Sequence, residues 1–147
     1  MNTLPHHPIP RRTFLRQAGL GLAAVSAVGS AAAQSAAPGP RLKIGIVGCG
    51  GRGTFLATLF AEHGGYEIAA LADPFADRTA ALAEKFPQSA PRTFHGLQCA
   101  QKMIAAGGLD AVAVLSPPYF HPVQARAAVD AGLHVYVAKP VAVDVPG

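Results

Sequence analysis

The most constraining feature of this sequence is a glycine-rich hexapeptide, GCGGRG at residues 48–53, placed directly after an apolar run. That run, residues 42–47, is short and rich in β-branched side chains, which is typical of a buried strand. Residues 54–63 then carry apolar side chains at helical spacing, and a Gly-Gly pair ends them. The order of strand, glycine turn and helix predicts a βα unit.

The same alternation of strand and helix continues to residue 137. The predicted strands are apolar on both faces, as expected when helices cover both sides of a parallel sheet. With right-handed crossovers, the chain is predicted to form a doubly wound, Rossmann-like α/β sheet in the order 3-2-1-4-5. The predicted strands are residues 42–47, 67–72, 92–94, 111–115 and 133–137, and the predicted helices are residues 54–63, 76–86, 98–106 and 120–131.

The glycine loop matches the G-x-G-x-x-G pattern of dinucleotide-binding proteins, in the context of strand and helix that makes the pattern informative. Gly48 permits a tight turn, Gly50 lets a pyrophosphate approach the backbone, and Gly53 lets the helix pack closely on the sheet. The helix N-terminus adds free N–H groups and partial positive charge. The alternative is a purely structural turn. The predicted cofactor contacts in this loop are Gly48, Cys49, Gly50, Gly51, Arg52 and Gly53.

Asp73 lies 20 residues after Gly53, at the end of the second predicted strand. A carboxylate at that place accepts hydrogen bonds from the hydroxyls of the adenosine ribose and repels a 2′-phosphate. The sequence therefore predicts NAD as the cofactor, with NADP possible because Arg78 is close in sequence. The alternative for Asp73-Pro74 is an ordinary turn.

Three further polar or loop residues follow later strands: Ser116 and Pro117 after the fourth, and Lys139 after the fifth. The carboxyl ends of parallel strands share one edge of the sheet, where ligands bind in open α/β folds. We therefore add Ser116, Pro117 and Lys139 to the predicted cofactor-binding residues.

Residues 1–33 have the organisation of an export signal. Arg11-Arg12 precedes Phe14-Leu15, residues 18–33 carry no charge, and a small-x-small cleavage site ends the segment. The paired arginine resembles the twin-arginine (Tat) signal. We predict a signal peptide at 1–33 that engages the Tat translocase, a linker at 34–40, and a periplasmic or otherwise exported body. The alternative, a membrane anchor, needs a span of about 20 residues, and this one is shorter and weakly apolar.

Composition narrows the remaining classes of function. The chain has 12 Lys+Arg and 8 Asp+Glu, but three arginines lie in the leader, so the body is close to neutral and nucleic-acid binding is not predicted. Cys49 and Cys99 make no disulfide framework and are expected to be free thiols. The body offers no clustered ligand set, so no metal site is predicted.

Three segments together resemble the Gfo/Idh/MocA oxidoreductases: residues 48–53, SPPYFH at 116–121 and AGLHVYVAKP at 131–140. The resemblance covers residues 41–147. It implies hydride transfer between NAD(P) and a sugar, cyclitol or related carbonyl or alcohol. Some exported members, which keep their cofactor tightly bound, carry twin-arginine signals like the one predicted for this chain.

The resemblance also implies two catalytic residues. Lys139 stands where the family has the lysine of a Glu-Lys-Pro motif, which assists proton transfer near the nicotinamide. His121 matches a histidine that follows the family's fourth strand. The alternatives are a solvated surface lysine and a capping or packing histidine. Ala138 departs from the family pattern by replacing the glutamate, which removes a carboxylate from this edge.

Family members continue into a larger α/β domain that closes the substrate site, and this sequence carries no such domain. We therefore expect an N-terminal fragment that is inactive by itself. Two classes of function stay open: the nucleotide-binding part of an exported oxidoreductase, and a non-catalytic dinucleotide-binding module or truncated gene product. A methyltransferase is a third interpretation. The loop at 116–118 and the Lys139-Pro140 ending argue against it.

Overall fold

The computed structural model describes residues 39–144, in which five strands alternate with four α-helices. A short 3₁₀ turn, Pro118–Phe120, precedes the last helix. The strands are β1 Leu42–Val47, β2 Tyr66–Asp73, β3 Arg92–His95, β4 Ala111–Val114 and β5 His134–Val137. The helices are α1 Gly51–Glu62, α2 Ala76–Ala83, α3 Cys99–Ala105 and α4 His121–Asp130.

All five strands run parallel in the order β3-β2-β1-β4-β5, so the predicted topology is confirmed. β1 lies at the centre, and its last residue, Val47, pairs with Ala72 of β2 and Val114 of β4. Because these three strands end level with one another, the loops that follow them emerge side by side. The chain order reverses between β1 and β4, which is the point where open α/β sheets bind ligands.

Helices cover both faces of the sheet, which explains why its central strands carry apolar side chains on both sides. Ile46 points into a core formed with α1 and α2, whereas Val47 points into a second core formed with α3 and α4. Both side chains are buried. At Gly45, an added Cβ would lie 2.8 Å from Cε of Met103, so this glycine lets α3 pack close to β1.

Each predicted helix differs from the structure at one or both ends, and the larger differences have local reasons. α1 begins at Gly51 instead of residue 54, because the second half of the glycine loop is itself helical. α2 ends at Ala83, and the N–H of Phe86 bonds the carbonyl of Ala83 in a tightened turn before Pro87. The last helix, predicted over 120–131, is preceded by the 3₁₀ turn and ends at Asp130.

The predicted signal peptide and all but the last two residues of the predicted linker lie outside the described residues. Within residues 39–144, no helix is both long and apolar enough to cross a membrane.

Candidate functional site

Gly48 turns the chain sharply out of β1, against the loop that follows β4. Its φ is +94°, and an added Cβ would lie 2.7 Å from the backbone N of Ser116. A side chain is therefore excluded both by backbone conformation and by contact with neighbouring backbone. The N–H of Gly48 donates to the carbonyl of Ala72 at 2.7 Å, which fixes the start of the loop beside the end of β2.

The other glycines of the loop divide into one that the protein's own packing requires and two that face open space. At Gly53, which is buried, an added Cβ would overlap the carbonyl oxygen of Gly48. At Gly51 an added Cβ would have no atom within 4 Å, and at Gly50 it would meet only Nη1 of Arg78, at 3.9 Å. The space over Gly50 and Gly51 is thus free for a group that approaches the backbone.

The N-terminus of α1 opens onto this space. Gly50 is the N-cap, in extended conformation, and supplies no side chain to bond the first N–H groups. The first turn contains no acidic residue. Its N–H groups and the partial positive charge of a 12-residue helix are therefore directed at the edge of the sheet without a side-chain acceptor. This arrangement suits an anion such as a pyrophosphate.

Asp73 braces the glycine loop as well as bordering it. It is 3% exposed; its Oδ2 accepts the N–H of Cys49 at 2.9 Å and its Oδ1 accepts the N–H of Phe75 at 3.0 Å. Each carboxylate oxygen keeps lone-pair capacity beyond these bonds. The predicted ribose contact is compatible with this geometry, but the brace was not foreseen from the sequence.

Both cysteines of the described chain are buried and free. Burial, with a smaller contribution from the charge of Asp73, raises the pKa of the Cys49 thiol to about 12. Burial likewise raises the pKa of Cys99. Because the thiolate is the reactive form of cysteine, neither residue is suited to nucleophilic chemistry.

Arg78 lies close to the glycine loop, which sequence spacing alone did not establish. It stands in the first turn of α2, with its guanidinium 4.8 Å from the ring centroid of Phe75. The ring holds the cation by a cation–π contact near Gly50. A positive charge there adds to the anion-binding character of the helix N-terminus.

The loop after β4 carries Ser116 and Pro117 to the same edge. The N–H of Leu115 bonds the carbonyl of Val47 at 2.8 Å, so this loop starts beside the glycine turn. The hydroxyl of Ser116 donates to Oε1 of Gln124 at 2.5 Å, and Pro117 is exposed.

Lys139 also reaches this edge. The N–H of Ala138 bonds the carbonyl of Val114 at 3.0 Å, which extends the pairing of β4 with β5 by one step, and Lys139 follows with an exposed side chain. The structure therefore brings together every predicted loop: residues 48–53, Asp73, Ser116 with Pro117, and Lys139. Their roles in cofactor binding and catalysis stay predictions.

His121 differs from the other predicted residues because its ring is enclosed. It is 1% exposed, with Nδ1 2.8 Å from the carbonyl oxygen of Pro140 and Nε2 2.7 Å from that of Ser116. Two loops thus occupy both ring nitrogens. This favours the packing interpretation of the histidine, and its catalytic role stays a prediction.

Within residues 39–144, no group of three or more His, Cys, Asp or Glu side chains is arranged to hold a metal ion. A cavity of 670 Å³ lies at the opposite, amino end of β1 and β2, between Arg41, Tyr66 and Lys85. It is separate from the edge that carries the predicted residues.

Comparison with known proteins decides the family. Residues 42–146 match the Gfo/Idh/MocA model, described as an oxidoreductase family with an NAD-binding Rossmann fold. The chain belongs to the Gfo/Idh/MocA family. Its Rossmann fold and its assignment as an NAD-binding domain are therefore confirmed.

Individual proteins similar to this chain agree with this assignment. A glycosyl hydrolase family 109 protein of Streptomyces niveus is 34% identical over 69% of this chain and 21% of its own length. Inositol 2-dehydrogenase of Corynebacterium glutamicum is 34% identical over 70% of this chain and 29% of its own. The scyllo-inositol dehydrogenase of Lactobacillus casei, solved with NAD(H) and scyllo-inositol, superposes with a TM-score of 0.64 and 28% identity, over 71% of this chain and 30% of its own. The chain thus spans about a third or less of the length of each of these proteins.

Proposed function

We propose that this Gfo/Idh/MocA chain is the nucleotide-binding part of an exported oxidoreductase that transfers hydride to or from a sugar, cyclitol or related carbonyl or alcohol. The observation that carries the proposal is the loop at 48–53, where two glycines face open space at an uncapped helix N-terminus. A pyrophosphate suits that place by its charge and because the backbone there is open to approach.

The rest of the edge suits the two halves of a dinucleotide. Asp73 and Arg78 lie on the β2 side of the glycine loop and suit the adenosine half. Ser116, Pro117 and Lys139 lie on the β4 and β5 side and suit the nicotinamide half. NAD, when bound, supplies the centre that accepts or donates the hydride.

Lys139 is the residue we assign to proton handling. Its ammonium group, carried to the edge by β5, stabilises negative charge on a hydroxyl oxygen that is losing its proton. In a protein that turns over substrate, Lys139→Ala should lower turnover far more than cofactor affinity. Equal losses in both would discard this role.

The substrate class is proposed from the relatives. Two of the proteins compared are inositol dehydrogenases, and the third is named as a glycosyl hydrolase. A cyclitol or sugar alcohol is therefore the first substrate to test. Glycoside hydrolysis is the second candidate, since some glycosidases depend on NAD. Release of nitrophenol from nitrophenyl glycosides, against formation of NADH from inositols, separates the two.

Export is proposed from residues 1–33. Fusing this segment to a reporter that fluoresces after folding tests the pathway. We expect the reporter in the periplasm, and its retention in the cytoplasm when Arg11 and Arg12 are both replaced by lysine. Export that survives this double replacement would contradict a twin-arginine route.

The proposed cofactor site is tested by calorimetry on the purified chain. NAD should bind at or below millimolar concentration. Gly50→Ala, whose new Cβ meets only Arg78, should weaken binding without lowering the midpoint of urea unfolding. Gly39→Ala is the matched control and should leave NAD binding unchanged, because its Cβ also meets open space and it lies outside the glycine loop. Absence of NAD binding to the unchanged chain would overturn the proposal.

The non-catalytic alternative is tested at the gene. A reading frame that continues past codon 147 into a further α/β domain supports the oxidoreductase. A stop codon there supports a binding module or truncated product.

A further inference from the structure

We propose that His121 is a positioning residue, a buried clamp that sets the backbone on which the nicotinamide side of the site is built. The inference rests on the proposed function, because it assigns a role within the same dinucleotide site. Direct contact between His121 and substrate or cofactor is not part of it.

The geometry of the clamp is specific. The ring of His121 lies between two carbonyl oxygens, that of Pro140 at 2.8 Å from Nδ1 and that of Ser116 at 2.7 Å from Nε2. Those carbonyls belong to the loops that follow β5 and β4. His121 lies 19 residues before Pro140 and 5 residues after Ser116 in the sequence. One side chain therefore ties together both loops of the β4–β5 half.

The backbone itself offers less support at this point. The ladder between β4 and β5 ends with the bond from Ala138 to Val114. Pro140 has no N–H and cannot donate a hydrogen bond. The contact between His121 and the carbonyl of Pro140 therefore holds the chain directly after Lys139. Because the side chain of Lys139 is exposed, the position of Lys139 depends on the backbone that this contact holds.

The position of the ring is itself fixed. His121 is the first residue of α4 and is 1% exposed. A carbonyl oxygen only accepts hydrogen bonds, so each link needs an N–H on the ring; a neutral imidazole supplies one and a cationic imidazole supplies two. Amide side chains can replace one link at a time: the asparagine nitrogen stands near the place of Nδ1, and the glutamine nitrogen near that of Nε2.

Three variants separate positioning from general stability. His121→Asn keeps a donor towards Pro140, His121→Gln keeps a donor towards Ser116, and His121→Leu keeps neither. The affinities of the purified chain for NAD and for ADP are measured by calorimetry. ADP carries the adenosine half and the pyrophosphate but no nicotinamide, so it reports the β2 half of the site alone.

We expect His121→Leu to lower the affinity for NAD about tenfold while changing the affinity for ADP by less than about twofold, since the hydrogen bonding of the ring with the two loops is lost on one half of the site. At least one amide variant should restore part of the NAD affinity. Equal losses for NAD and ADP in all three variants, or no loss in any, would overturn the clamp. If His121→Leu does not fold, the two amide variants supply the test. A loss of NAD affinity larger than the loss of ADP affinity supports the clamp, and equal losses or no loss overturn it. Failure of the unchanged chain to bind NAD would overturn the proposed function, and the clamp with it.

Discussion

The carboxylate of Asp73 holds the backbone of Cys49: its Oδ2 accepts the N–H of that residue at 2.9 Å, across 24 positions of sequence. The same side chain accepts the N–H of Phe75, so the buried group joins the end of β2 to the glycine loop. A residue expected to select the ribose of a cofactor thus also shapes the loop that we propose receives the phosphates.

Asp73→Asn should therefore weaken the fold as well as the site. The amide keeps one acceptor but turns an NH₂ group towards a backbone N–H, which leaves a buried donor without an acceptor. We expect a loss of about 1–3 kcal/mol in the free energy of unfolding, measured by urea titration. Asp77→Asn, at an exposed position of α2, is the matched control and should stay within about 0.5 kcal/mol. Equal stability of the two variants would show that the brace contributes nothing.

Gly53 and Gly51 should respond in opposite directions to alanine. A Cβ at Gly53 overlaps the carbonyl of Gly48, so α1 must move away from β1, and we expect a loss of about 1–3 kcal/mol. A Cβ at Gly51 meets open space in the first turn of a helix, where alanine should be neutral or stabilise by up to about 1 kcal/mol. Thermal unfolding of both variants checks this. A Gly53→Ala chain as stable as Gly51→Ala would contradict the close packing of helix on sheet.

Much of this fold could be predicted from the sequence because its determinants are local. Apolar runs bounded by glycines mark the strands, and the parallel topology follows from their alternation with helices. The same reasoning placed residues 48–53, Asp73, Ser116 and Lys139 at one edge, since each follows a strand.

The contacts that could not be predicted from the sequence depend on the side-chain conformations of residues that lie far apart along the chain. Pattern reasoning has no means of knowing that the ring of His121 lies between Ser116 and Pro140, or that Asp73 bonds the N–H of Cys49. The place of Arg78 beside Gly50 similarly depends on how α2 packs and on the stacking with Phe75. The start of α1 differs from the prediction because glycine is typical of loops, whereas Gly51 and Gly53 are helical here.

We expect the preference for NAD over NADP to depend on the opposed charges of Asp73 and Arg78. The buried carboxylate should disfavour the 2′-phosphate of NADP, so NAD should bind more tightly in calorimetry. Arg78 is the nearby cation able to pair with that phosphate. Arg78→Ala should therefore lower the affinity for NADP by about tenfold or more and the affinity for NAD by less. Arg126→Ala, which removes an exposed ion pair with Asp130 on α4, is the control and should change neither affinity. Equal or reversed affinities in the unchanged chain would remove the selective role given to Asp73.

The thiol of Cys49 should make stability fall at alkaline pH. Its pKa is raised by burial from 9.0 to about 12, so the folded chain keeps the proton over a range in which the unfolded chain loses it. The unfolded state then binds fewer protons, and stability decreases as pH rises from 9 towards 12, whereas below 9 this group has no effect. Because other groups titrate in the same range, the informative quantity is the difference in unfolding free energy between the unchanged chain and Cys49→Ala. That difference should be constant up to pH 9 and then shift in favour of the variant.

In parallel, iodoacetamide at pH 8 should leave Cys49 and Cys99 unmodified in the folded chain and alkylate both in urea, since burial raises both pKa values. Rapid alkylation of the folded chain, or a difference that stays flat to pH 11, would mean that Cys49 is not enclosed between the glycine loop and β2.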